Sequence, residues 1–463
     1  MEHEDRHRVR TARGRPSGAA ADHPATRAVF ERLAARPDFV PYHDATTGTL
    51  VGARSARDHG TLDVGNDYGV CTVEAALPPE EGFAAAKAAW HRTLDDVVFP
   101  ALAAEGLSAL AHGCQPLTET LGGPYLADKA HYGLWLAQAE RYPGHYASDA
   151  WPGFAAVQFN VDVPLPRVID ACNTLIKMTP LIFAWGANSA VFGGRVQPWQ
   201  SLRLRGYTEL SETNPFFAHR LHYPRHLYGS LADYMSAAWA LPIFEVTRHG
   251  ILHTPLVPEL TTRQFAEAGH AEFVDPDGTK RILHCTTADL ASGLVFCWPA
   301  VRVRMRLDES CTVAEALEAV AAGRGEAVLR DGGRGTFVEI RHLPTMNREE
   351  TFAWLAVLLG WLGDIEGCRE LFGGWSLQDA RTAAAEVQTR GWAAEVAGVP
   401  LTEWGRRALD LADASLRREP VAPAEELEPL ARRLRDRTSP ATDAVAQVRS
   451  EGIEAFVEGL RMC

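Results

Sequence analysis

Between Phe154 and Val163 the chain alternates Gln158, Asn160 and Asp162 with Val157, Phe159 and Val161, which predicts a strand with its polar side chains on one face. Pro164 and Pro166 end that strand, and the apolar run from Arg167 to Phe183 predicts a buried helix. The tract from Thr49 to Leu77 alternates short apolar and polar runs around Gly60, Gly65 and Gly69, as strands joined by turns do; its clearest strand is Val70 to Ala76. Apolar residues recur at helical intervals in Glu80 to His91 and Phe99 to Ala111. A further strand is expected over Gly335 to Arg341, followed by Asn347 as cap of an apolar helix from Thr351 to Leu362. Pro24 to Leu33 reads as a helix after an Arg, Gly and Pro rich loop. From Leu377 onward about four helical pieces are expected, with breaks near 398–400, 420–423 and 438–440.

Length and composition add limits. A chain of 463 residues with 46% apolar side chains can bury a large core without disulfides or a structural metal. Its formal charge of −13 argues against nucleic-acid partners and anionic membrane surfaces. The eight Cys lack paired short spacings, so a zinc knuckle or disulfide framework is not indicated, and reduced cytoplasmic cysteines fit best. The apolar stretch from Phe352 to Leu362 is too short to span a bilayer.

The candidate chemistry lies in polar residues two positions apart on strands, because such pairs face one side. Glu2 and Glu4, Gln158 and Asn160, and Glu339 and Arg341 have this spacing, while Asp67 and Glu74 bracket another extended piece. Carboxylates gathered on a sheet face repel one another unless a cation compensates them. Magnesium suits such a face, because it is a hard ion that takes carboxylate oxygens and also binds substrate phosphates. A triphosphate could then be held through magnesium, and no Walker sequence is present.

The motifs EHE at Glu2–Glu4, DYGVCTVE at Asp67–Glu74, FAAVQFNVD at Phe154–Asp162, the stretch from Gly186 to Arg205 and TFVEIR at Thr336–Arg341 follow one another in an order that resembles the glutamate-cysteine ligases and their carboxylate-amine ligase relatives, distant kin of glutamine synthetase. The resemblance implies an α+β fold, with a curved antiparallel or mixed sheet forming a funnel-like active site and helices behind it. It places the catalytic domain at residues 1–375 and a helical C-terminal region at 376–463, packed on that domain. ATP and magnesium are the implied cofactors, with Glu2, Glu4, Asp67, Glu74 and Glu339 as metal ligands converging on one cavity. Glu74, Glu339 and Arg341 would act in catalysis, and Gln158, Asn160 and Arg341 at the nucleotide. Arg203 and Arg205, at a strand-like spacing, and His131 would border the substrates.

The implied reaction joins an amino-acid carboxylate, foremost the γ-carboxylate of glutamate, to an amine such as cysteine, another amino acid or a carrier-bound amine, through an acyl phosphate. Two alternatives stay open from the residues alone: phosphotransfer to a guanidino or carboxylate group, and a noncatalytic nucleotide-binding homologue. Oligomeric state is not legible in the sequence.

Overall fold

The polar and apolar alternation of the sequence is realised in one large sheet. A computed structural model describes the backbone of residues 2–10, 23–57, 60–141, 146–295 and 297–462, and the side chains of 26–55, 62–139, 141, 146–295 and 297–462. Among the described residues the sheet has nine strands: β1 (Glu2–Arg10), β2 (Val40–His43), β3 (Leu50–Arg57), β4 (Gly60–Asn66), β5 (Thr72–Ala76), β6 (Glu80–Glu81), β7 (Val157–Asp162), β8 (Val301–Arg304) and β9 (Phe337–Ile340). Their order is β8-β9-β7-β1-β5-β4-β3-β2, with β6 beside β1, and every pairing is antiparallel. The fold is α+β, with a curled antiparallel sheet and a helical C-terminal region.

One face of the sheet is the core face. Val157, Phe159 and Val161 of β7, Val301 and Val303 of β8, and Val338 and Ile340 of β9 are buried in a single apolar cluster. The helices Val168–Lys177, Thr179–Gly186 and Arg348–Gly363 contribute to it. The last of these is apolar all round, so it is buried rather than amphipathic. Its start is fixed by Asn347, whose side chain accepts from the Glu350 backbone N–H at 2.8 Å, and by two acidic residues in the first turn, which suit the helix dipole. Among the described residues no single helix is long and apolar enough to cross a membrane, and Arg348–Gly363 reaches that length only together with Ile365–Leu371, at a bend of 87°.

Several elements differ in extent from the sequence expectation. The helix expected over Arg167 to Phe183 breaks at Met178, where Thr179 caps its own turn by donating to the Ile176 carbonyl. Gly82–Trp90 and Phe99–Ala104 are joined through the wider turns of His91–Val98 instead of by a gap, and Leu110 has left the helix to bridge Arg461. The C-terminal breaks fall where Gly and Pro placed them. An additional break at Gly452, where φ is +88°, divides the last piece into Pro440–Glu451 and Ile453–Gly459.

The C-terminal helices share the central core. Trp361 donates its indole N–H to the Ala408 carbonyl at 2.9 Å, and Trp185 donates to the Leu430 carbonyl at 3.0 Å. Arg433 forms an ion pair with the buried Glu350 and another with Asp443 at 2.9 Å. Seven cysteines lie among the described residues, and none of these forms a disulfide.

Candidate active site

The register of the sheet assembles the polar residues into rows. Arg302 on β8 stands opposite Glu339 on β9, Glu339 opposite Asn160 on β7, and Asn160 opposite Glu4 on β1. Directly opposed residues share a face, and positions two apart do as well, so Gln158 and Arg341 join the same side. Glu2 and Glu4 hold backbone positions on β1, opposite Glu81 and Asn160. Their side chains, named above as metal ligands, lie outside the described residues.

Over this face lies a cavity of about 460 Å³. Its sheet side carries Glu74, Gln158, Arg302, Arg304 and Arg341. Asp67 reaches it from the turn after β4, and His131 and Tyr132 from the start of the helix Ala130–Glu140. Opposite stand Glu245, Leu294, Val295 and Trp298. The Asp67 turn is tightly built. The Asn66 amide donates to the carbonyls of Val70 and Thr72, and Gly69 lies so close to Pro152 that a Cβ there would sit 1.7 Å from its carbonyl oxygen. Tyr132 donates its hydroxyl to Asp67 at 3.1 Å.

Beneath the cavity the buried carboxylate of Glu339 is the centre of a charge cluster. Glu339 is 1% exposed and does not line the cavity. Arg302 engages it with two guanidinium nitrogens, Nε to Oε2 and Nη2 to Oε1, the latter at 3.2 Å. Arg341 donates Nη1 to Glu339 Oε1 and to Gln158 Oε1, each at 2.6 Å. Arg304 stands 4.0 Å from Oε2. Burial works to raise the Glu339 carboxyl, but Arg302 and Arg341 outweigh it and hold that carboxyl well below the usual carboxylate range. The expectation that Glu339 projects into the cavity with Asp67 and Glu74 is therefore corrected, because its oxygens face the guanidinium groups.

Unmet polar groups remain. Both side-chain polar atoms of Asn160 and the Nε2 of Gln158 are buried without a hydrogen-bond partner among the described residues. Buried amide atoms of this kind cost free energy unless a ligand or water satisfies them. Glu245 has a buried Oε2 with no partner among the described residues, and burial, reinforced by the Asp44 charge, pushes its carboxyl up to about 7. His131 is pushed down to about 4 by burial and by Lys129, so its imidazole is neutral.

Two expected substrate contacts are placed elsewhere. Arg203 and Arg205 belong to the helix Leu202–Thr213, not to a strand, because Ser201 caps it by accepting from the Leu204 N–H at 3.1 Å and so starts helical geometry. Neither residue lines the cavity. Arg203 is buried and donates to the carbonyls of Arg341 and His342 at 3.1 and 3.2 Å, holding the end of β9 from behind. Arg205 stacks over Trp199 and lies 3.7 Å from Glu209.

Sequence reasoning missed Arg302, Arg304 and Glu245. For the arginines a signal existed, since VRVR at Val301–Arg304 has the period of a strand with both arginines on one face. Glu245 had none, because its position depends on the folding of a loop over the sheet.

No group of three or more His, Cys, Asp or Glu among the described residues is arranged to hold a metal ion. The pair Asp67 and Glu74 nevertheless suits magnesium, which commonly takes one or two carboxylates and completes its shell with phosphate oxygens and water.

A family model described as glutamate-cysteine ligase family 2 (GCS2) matches residues 35–458. Two curated relatives, each called "Glutamate--cysteine ligase EgtA", from the CDC 1551 / Oshkosh and ATCC 25618 / H37Rv strains of Mycobacterium tuberculosis, are 27% identical to this chain over 250 residues. The aligned part is 51% of this chain and 52% of each relative, so the chain spans about half the length of the curated relatives it matches. Among solved structures, a bifunctional glutathione synthetase from Pasteurella multocida aligns over 99% of this chain and 50% of its own, at 13% identity and a TM-score of 0.48. With a match that runs through nearly the whole sheet and the C-terminal helices, the chain belongs to glutamate-cysteine ligase family 2.

Proposed function

We propose that the protein is an ATP- and magnesium-dependent ligase that joins the γ-carboxylate of glutamate to an amine such as cysteine or another amino acid, releasing ADP and phosphate. The observation that carries this reading is the cavity with three arginines on its sheet side, beside the Gln158 Nε2 and the Asn160 amide, which have no partner among the described residues. The family and the name of the EgtA relatives favour glutamate and cysteine. The substrates are small molecules, and the reaction is assigned to the cytoplasm.

A carboxylate resists attack by an amine, because its oxygen is a poor leaving group. Transfer of the terminal phosphoryl group of ATP to that oxygen makes an acyl phosphate. The amine nitrogen then bonds to the carbonyl carbon, the carbon–oxygen bond to phosphate breaks, and the nitrogen loses a proton. Arg341, held at one nitrogen by Glu339 and Gln158, lines the cavity and brings a planar guanidinium charge to a phosphate or carboxylate there. Arg302 and Arg304 add positive charge where phosphoryl oxygens gather. Asp67 and Glu74, with Glu2 and Glu4 on β1, are the proposed magnesium ligands, and the ion would offset charge on the phosphates. Glu339 is assigned the positioning of Arg302 and Arg341. Glu245 takes the proton of the incoming ammonium group, and His131 borders the amine.

A mass-resolved screen of amino acid and amine pairs with ATP and magnesium tests the reading. The expected products are an amide, ADP and phosphate. AMP with pyrophosphate, or a phosphorylated product without an amide, would overturn it.

A further inference from the structure

The wall that faces the sheet across the cavity comes from two segments far apart in the chain. Residues 242–248 carry Glu245, and residues 287–295 carry Ala291, Leu294 and Val295. Neither is a long element: the first runs into the strand Val246–Arg248, and the second is the short helix Thr287–Leu294 with its exit. Segments with so few backbone hydrogen bonds of their own depend on side chains for their relative position.

Two arginines tie these segments together. Arg220 is 0% exposed and donates Nη1 to the carbonyls of Val295 and Gly293, at 3.0 and 3.4 Å, and Nη2 to the carbonyl of Pro242. Its own carbonyl accepts from the Trp298 N–H at 2.7 Å, and its guanidinium lies over the rings of Phe216 and Phe244, at 4.6 and 5.8 Å. Burial draws Arg220 down to about 10, so it stays charged, and no carboxylate among the described residues pairs with it. A buried charge held by carbonyls and ring faces is costly, and a planar fork that reaches two segments at once gives it a use that Lys cannot duplicate. Arg248 makes the second tie. Its Nη1 and Nη2 donate to Oδ1 and Oδ2 of Asp289, at 2.7 and 2.6 Å. Asp289, 3% exposed, also accepts at Oδ2 from the Thr286 N–H and hydroxyl, at 2.7 and 2.8 Å. Glu245 stands midway between Pro242 and Arg248, so the two ties bracket it.

We propose that Arg220 and Arg248 are positioning residues that clamp this wall and so fix Glu245, Leu294 and Val295 over the sheet face. Neither arginine lines the cavity, so both act through the wall. The proposal rests on the reading of Glu245 as acceptor of the amine's proton, because a reacting group misplaced by about 1 Å can lose about a hundredfold in rate.

Hydrogen exchange of the full chain, read by mass spectrometry, and steady-state kinetics with ATP, glutamate and cysteine test this on Arg220→Lys and Arg248→Gln. Arg248 is partly exposed, so Arg248→Gln decides the matter if Arg220→Lys does not fold. The expected result is faster exchange in residues 242–248 and 287–295, with β7 and β9 unchanged. Turnover should fall about tenfold or more with a nearly native KM for ATP, and adding Arg248→Gln to Glu245→Gln should cause no further loss. Native exchange in Arg248→Gln, faster exchange with native turnover, or an equal loss in the Glu245→Gln background would each overturn the clamp. A native chain that forms no amide from any substrate pair counts against the ligase reading instead, and the exchange pattern then decides the clamp by itself.

Discussion

Glu339 joins two buried guanidinium groups, and its removal leaves both without their shared counter-charge. Breaking a buried ion pair by removing one partner costs about 3–5 kcal/mol. Glu339→Gln should therefore lower the melting temperature by several degrees and abolish turnover; a variant with native melting and native kinetics would deny it the positioning role. Arg341→Lys keeps the charge but loses the planar fork, so turnover should fall while the fold persists, as steady-state kinetics and circular dichroism would establish. Glu245 supplies a pH dependence. Its carboxyl is raised from an ordinary 4.5 to about 7, so its contribution to stability is fully present below about 4.5 and is lost as pH rises through about 7. That loss amounts to at most about 3 kcal/mol. Glu245→Gln should narrow the difference in melting temperature between pH 5 and pH 8 and remove the limb of the rate profile near 7. An unaltered profile would rule out the proton-accepting role.

In the turn between β4 and β5 a single residue sets the path of the backbone. Gly69 is required by contact rather than by φ, since any side chain would collide with the Pro152 carbonyl. Gly69→Ala should displace the turn that carries Asp67, reducing both stability and magnesium-dependent turnover. Melting and a magnesium titration of activity would reveal this; native values of both would mean that the chain absorbs the shift. Among the elements, β7 and β9 were legible because a strand with one dry face must alternate, and Gln158, Asn160, Glu339 and Arg341 fall on its other face. Arg203 and Arg205 misled because a spacing of two suits a strand only if the backbone is extended, and the Ser201 cap makes it helical. The break at Met178 had no marker within the apolar run other than Pro180, which occupies the first turn of the next helix.

Across the whole molecule, the C-terminal helices are part of the core that supports the sheet. The rings of Trp185 and Trp392 lie 5.1 Å apart, and Ala408, Ala412 and Leu430 are buried against the helix bearing Trp361. Deletion of residues 377–463 would expose this surface, so the remaining chain should aggregate or lose cooperative unfolding. A soluble, cooperatively melting 1–376 fragment would instead establish that the first part folds alone.

The sequence by itself determined the polar strand faces, the capped apolar helix and an ordered set of motifs, because periodicity and capping act over neighbouring residues, and the α+β class followed from the family those motifs resemble. Only the tertiary structure decided that Arg302 meets Glu339 across β8 and β9, that Glu339 lies under the cavity, and that Glu245 closes over it. These pairings join positions far apart in the chain, and their register follows from how the sheet and its core pack.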